Sequence, residues 1–186
     1  MKRFVLLDRD GTIIREANYL SSARQIELNA GVIEGLRLIQ QMGLGLAVVT
    51  NQSGLARGYF SMDDLEKVHA RLSDLLAAEG VKLDGIFFCP HKPADACNCR
   101  KPRPGLVEQA VSRLRFDPRG AFVIGDKPCD MELGQAIGAT TILVRTGFGE
   151  ATTGSAELST DYVVDGLVEA AEVIRTILSI PSEDLP

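Results

Sequence analysis

The sequence predicts an α/β protein, a three-layer sandwich on a mostly parallel sheet. Three observations carry that expectation. Short apolar runs alternate with amphipathic helical stretches along most of the 186 residues, which is the pattern of βαβ units. The first run, Phe4 to Leu7, is continuous rather than alternating, as in a strand covered on both faces. Polar residues follow the runs at Asp8, Asp10, Thr50 and Asp126. Right-handed crossovers bring all such strand ends to one sheet edge, where open α/β sheets bind ligands.

The elements follow in order. After the first strand, residues 13–29 show no sustained period and read as a loop or flap beside its end. Asn29 is placed to cap a helix over residues 31–42, with Val32, Ile33, Leu36 and Ile39 on one face and Gly43 as terminator. Residues 44–49 form a second strand, ending at Thr50-Asn51-Gln52-Ser53-Gly54. Ser61 and Asp64 have the spacing of a capping box. Leu65, Val68, Leu72, Leu75 and Leu76 then trace a helical stripe that Gly80 closes. His69 reads as lying off that stripe, in solvent. Residues 83–88 are a third strand and 89–103 a compact loop. Pro104 suits the first turn of the next helix. Strands at 121–124 and 140–144 flank a helix over 130–137. Residues 145–160 are a Gly/Thr/Ser-rich loop, 162–164 a short edge strand, and 167–178 the last helix. Residues 1–178 are expected to be one domain, and 179–186 a mobile tail.

Composition narrows the function. A net charge of −5 argues against a nucleic-acid surface. No apolar run reaches the roughly 18 residues of a membrane span. Asp8 interrupts the N-terminal apolar run too early for a signal peptide. Three of the four cysteines cluster between Cys89 and Cys99, which without an export signal points to metal rather than disulfides. A cytoplasmic protein is expected.

The strand-end residues suit phosphoryl transfer. Like charges as close as Asp8 and Asp10 invite a divalent cation or a raised pKa on one of them. An aspartate can attack phosphorus, a second can donate and then accept a proton, and magnesium takes hard oxygen ligands. A cation and a hydroxyl would hold the transferring oxygens. The segment Cys89-Pro90-His91 with Cys97-Asn98-Cys99 supplies three thiols and an imidazole within eleven residues. That closed set suits structural zinc and leaves no open position for catalysis. It runs directly into Arg100-Lys101, so the zinc would aim two cations at phosphate. Cys129 lacks partner ligands and reads as a small buried apolar residue.

Asp8-Arg9-Asp10-Gly11-Thr12 resembles the first motif of the haloacid-dehalogenase phosphatase superfamily. Thr50, Lys101 and Gly125-Asp126 with Asp130 resemble its other three motifs, in order. The resemblance implies a Rossmann-like core from about Phe4 to Leu178. It implies Asp8 as nucleophile, Asp10 as acid then base, and Thr50 and Lys101 as phosphoryl ligands. Magnesium would be held by Asp8, the Asp10 backbone carbonyl and Asp126, with Asp130 an outer or auxiliary metal residue. No large insertion follows the first or third strand, so a cap domain is not expected. Within the superfamily, Thr50 to Gly58 and the Cys-Pro-His and Cys-Arg-Lys-Pro segments resemble the heptose bisphosphate phosphatases. The related histidinol-phosphate phosphatases share the zinc loop, and Pro93 to Cys97 is closer to theirs in length. Either resemblance implies action on a small phosphorylated metabolite; a monomer is expected. Glu16, Ala17, Asn18 and Tyr19, the stretch Thr50, Asn51, Gln52 and Ser53, together with Arg9, Arg100 and Lys127, would contact substrate. Arg57 is left between a second phosphate and a plain surface charge.

Overall fold

The computed structural model describes residues 1–154 and 159–179. Six strands form one sheet, every pairing parallel: β1 (Phe4–Leu7), β2 (Gly45–Asn51), β3 (Gly85–Cys89), β4 (Phe122–Gly125), β5 (Thr140–Val144) and β6 (Tyr162–Val164). Their spatial order is β3-β2-β1-β4-β5-β6. The chain starts at the centre, winds outward to β3, then crosses β1 and winds the other way. The reversal falls between β1 and β4, where such sheets open a crevice.

Alternation within the strands builds two cores. Val5 and Leu7 face one way, against α1 (Val32–Gln41), α2 (Met62–Ala78) and α6 (Leu167–Ser179). Phe4 and Leu6 face the other, against α3 (Gly105–Leu114) and α4 (Pro128–Ile137). All four β1 residues are buried, so each side chain contributes roughly 1.5–3 kcal/mol of burial. The expected three layers are therefore present. Among the described residues no helix is long and apolar enough to cross a membrane.

Four local expectations are corrected. Asn29 does not cap α1; Gly31 does, at φ 72°. The Asn29 amide is taken instead by the carbonyls of Gly11, Thr12 and Ile14, which ties the turn after β1 to the loop beneath it. The 145–160 stretch is not all loop: α5 (Gly149–Thr153) forms there, while residues 155–158 lie outside the described residues. Ser179 ends α6 rather than opening a tail, and residues 180–186 lie outside the described residues. His69 is half-buried rather than solvated. It shares the inner side of α2 because Leu65, His69, Leu72 and Leu76 are spaced by four, three and four residues, a helical face. The Ser61–Asp64 capping box forms as expected.

Candidate active site

Four loops leave the C-terminal ends of β1 to β4 and enclose a cleft of about 240 Å³. Its lining includes Asp8, Arg9, Asp10, Glu16, Asn18, Tyr19, Thr50, Asn51, Gln52, Ser53, Arg100, Lys101 and Lys127. Of the residues expected to contact substrate, only Ala17 is absent from the wall, being turned out and exposed. Arg57 is also exposed and off the wall. Asn18 and Tyr19 both have positive φ, 44° and 68°. Strain of that kind, costing about 1–3 kcal/mol per residue, concentrates at ligand-handling segments. Tyr19 also meets Tyr59 edge-on at 4.8 Å.

Beneath the cleft sits a cluster of buried charge. Asp8 continues β1, its N–H bonded to the Ile124 carbonyl. Lys101 Nζ lies 2.8 Å from Asp8 Oδ1 and 2.6 Å from Asp130 Oδ1, and donates to the Val49 carbonyl at 2.7 Å. Burial opposes the Lys101 charge, but Asp130 and Asp8 outweigh it and hold the ammonium above its usual range. Burial likewise opposes the Asp8 charge, and Lys101 then Lys127 overcome it, so the Asp8 carboxyl sits below the usual carboxylate range. Asp126 goes the other way: burial, then the Asp8 charge, push it up to about 7.

Asp126 is shaped for a cation. Its Oδ2 accepts the Phe148 N–H at 2.9 Å, while its buried Oδ1 makes no hydrogen bond. Gly11 and Gly147, at φ 87° and 58°, pack so closely that a Cβ on either would overlap Asp126 Oδ2. Carboxylate oxygens of Asp8, Asp126 and Asp130 all lie within 4.8 Å of one another. Lys127 Nζ is already ringed by Asp126 Oδ1 at 3.5 Å, Asp10 O at 3.4 Å and Asp8 Oδ2 at 4.0 Å. A hard oxygen set with one orphaned carboxylate atom fits magnesium.

The cysteine loop forms the second candidate metal centre. Cys89, Cys97 and Cys99 Sγ atoms are 3.2–3.6 Å apart. His91 Nδ1 lies 3.2 Å from Cys99 Sγ and 3.7 Å from Cys89 Sγ. Tetrahedral zinc with bonds of about 2.3 Å would put thiolates about 3.8 Å apart, so a small adjustment accommodates it. The loop is also pinned from below: Asn51 Oδ1 accepts the Lys101 N–H and its Nδ2 donates to the Lys101 carbonyl. Arg100 Nη1 donates to the His91 carbonyl. Cys97→Ser is expected to release zinc and raise KM about tenfold. That is the loss of one charge-assisted bond to phosphate, with the far-ultraviolet spectrum unchanged because the Asn51 clamp and the sheet persist. Zinc content, KM and circular dichroism check it.

Three comparisons place this geometry. A family model described as "HAD-hyrolase-like" matches residues 98–170. The D-glycero-beta-D-manno-heptose-1,7-bisphosphate 7-phosphatase of Haemophilus influenzae is 38% identical over 186 residues, covering 95% of this chain and 99% of that protein. The Escherichia coli K12 enzyme of the same name is 38% identical over 179 residues, covering 92% of this chain and 93% of that protein. The chain belongs to the heptose bisphosphate phosphatase family. It is thereby a phosphoric monoester hydrolase. The fold agrees: the D,D-heptose 1,7-bisphosphate phosphatase of B. bronchiseptica, solved with magnesium and phosphate, superposes with a TM-score of 0.87 at 32% identity, covering 94% of this chain and 99% of that one.

Some features of this heptose-phosphatase site were not visible in the motifs. Asp130 is the second anchor of Lys101; its spacing from Asp126 pointed to the site but not to that partner. Cys129 is not a core residue. It is half-buried on the cleft wall, its thiol pushed up to about 12 by burial and then by the Asp130 charge. Thr152 Oγ1 donates to the Asp126 carbonyl from α5.

Proposed function

We propose that the protein removes the 7-phosphate of D-glycero-β-D-manno-heptose 1,7-bisphosphate, with magnesium held by Asp8, the Asp10 carbonyl and Asp126. The buried ion pair between Lys101 and Asp8 carries the reading. It keeps Asp8 ionised in a site with little water, which is what a carboxylate nucleophile requires. Asp8 attacks phosphorus, forming an aspartyl-phosphate as the bond to the sugar oxygen breaks. Asp10 gives its proton to that oxygen. Ionised Asp10 then takes a proton from water, whose oxygen attacks phosphorus and frees Asp8 and inorganic phosphate. Thr50 and Lys101 hold the equatorial oxygens, and Arg100 and Lys127 on the wall receive the second phosphate. Magnesium supplies charge neutralisation between carboxylate and phosphate. Residues 1–178 act as one unit without a cap, zinc keeps the Arg100–Lys101 segment in place, and the protein works in the cytoplasm as a monomer.

A phosphate-release panel tests the substrate. Both anomers of heptose 1,7-bisphosphate and histidinol phosphate are compared, with the β-anomer expected to give the highest kcat/KM. No release from either heptose compound overturns the assignment.

Magnesium dependence has a pH signature. Asp126, raised to about 7 in the folded protein, binds its proton there more tightly than in the unfolded chain. Stability from that proton is complete below about pH 4 and lost as pH rises through about 7. Asp8, shifted the opposite way, stabilises the fold throughout this range and loses that contribution only at more acid pH. In the metal-free protein that loss between pH 5.5 and 8 is offset in large part by His69, held down to about 3 by burial, whose neutral ring favours the fold increasingly as pH rises through about 6.5, so Tm should change little. Magnesium, which needs the ionised carboxylate, should raise Tm more at pH 8. Equal magnesium shifts at the two pH values in a thermal melt would contradict this.

A further inference from the structure

Arg9 is the largest buried polar side chain, 1% exposed, and all of its partners but one converge on Asp10. Its Nε donates to Asp10 Oδ2 at 3.1 Å and its Nη2 to Asp10 Oδ1 at 2.9 Å. Nη2 also donates to Gln52 Oε1 at 2.9 Å. Gln52 Nε2 in turn donates to Asp10 Oδ2 at 2.8 Å and to Thr50 Oγ1 at 2.9 Å. The remaining partner comes from another layer of the fold: Arg9 Nη1 lies 3.1 Å from His69 Nε2, on α2. A guanidinium has no acceptor, so the ring nitrogen must accept. That places the imidazole proton on Nδ1 and makes the ring neutral. Burial, and then the Arg9 charge, hold His69 down to about 3, in keeping with a neutral ring at working pH. Its other side rests near Phe88, 5.5 Å between ring centres.

We propose that His69 is a positioning residue for catalysis: by accepting from Arg9 Nη1 it fixes the fork that aims the Asp10 carboxyl at the leaving oxygen. The proposal rests on reading Asp10 as the acid. An arginine side chain has many rotamers, and a fork is useful only if it is held in one. Asp10 and Gln52 hold Nε and Nη2, both on the cleft side. His69 supplies the hold from behind. Remove it, and a buried N–H loses its partner and the guanidinium reorients toward another acceptor. Asp10 stays present but is no longer held within the narrow tolerance that proton transfer needs.

The test separates protonation of the leaving group from everything else. His69→Phe, His69→Gln and Asp10→Asn are assayed by single-turnover release of the leaving group, the step before water enters, on heptose 1,7-bisphosphate and on p-nitrophenyl phosphate, whose phenolate departs without a proton. His69→Phe is expected to lower that rate on the sugar phosphate about tenfold, the worth of one bond to a charged group. On the aryl phosphate it should change the rate less than about twofold, relative to the parent protein. His69→Gln, whose Oε1 can accept from Arg9, should recover most of the loss and covers the case in which the phenylalanine variant fails to fold. Equal losses on the two substrates, or no recovery by glutamine, overturn the proposal. If Asp10→Asn spares the aryl phosphate while His69→Phe shows no such difference, only the role of His69 falls. If Asp10→Asn lowers both substrates equally, the reading of Asp10 falls and takes this one with it.

Discussion

Asp8→Asn is expected to lower phosphate release by at least about 10⁴-fold while leaving the fold intact. Losing the nucleophile removes the covalent route altogether, and nucleophile knockouts in enzymes of this kind of chemistry cost on the order of 10⁴–10⁶. Stability should move little. The amide keeps the shape of the carboxylate and can still accept from Lys101, and one of three clustered negative charges is gone. Lys101 keeps its contact with Asp130 at 2.6 Å, so no buried ammonium is stranded. Circular dichroism and a thermal melt beside a phosphate assay check both halves. Residual turnover within about a hundredfold of the parent would mean that water, and not Asp8, attacks phosphorus.

The residues that such an experiment addresses were legible because their signals are local. Asp8 and Asp10 end a run of four apolar residues whose burial pattern is uninterrupted. The Ser61–Asp64 box and the stripe of α2 depend on neighbours within two helical turns. The zinc set spans one short loop. What escaped depended on partners far along the chain. Asn29 was claimed by three carbonyls of the β1 turn, a demand that no local capping preference reveals. Helix α5 is too short and too rich in Gly and Thr to announce itself. It is held by Asp126, through the Phe148 N–H just before it and the Thr152 hydroxyl within it. His69 carried a signal, its helical phase with Leu65, Leu72 and Leu76. Its partner Arg9 sits sixty residues away.

Asp130 shows the same limit with larger consequences, because its pairing with Lys101 decides how the site tolerates its own charge. Asp8, Asp126 and Asp130 are all buried, and Lys101 is the fully buried cation among them. Lys101→Met keeps the length and apolar stem of the side chain but removes the charge. Breaking a buried pair by deleting one partner typically costs about 3–5 kcal/mol, a large part of an ordinary domain's stability. Asp8 and Asp130 would each lose an ammonium within 3 Å and would bind protons more tightly in the folded state than in the unfolded one. By the linkage sign already applied to Asp126, the variant's stability should be greatest in acid and fall as pH rises. The loss in Tm relative to the parent should therefore be small near pH 5 and large near pH 8. Magnesium should restore part of it at pH 8, because a divalent ion takes over neutralisation of Asp8. Turnover should not return with it: kcat is expected to stay down by about 10³-fold, since no ammonium then faces the transferring phosphoryl oxygens. Melting curves at the two pH values with and without magnesium, alongside phosphate release, separate the structural role of Lys101 from the catalytic one. A pH-independent Tm loss, or turnover restored by magnesium alone, would show that Lys101 does not carry both.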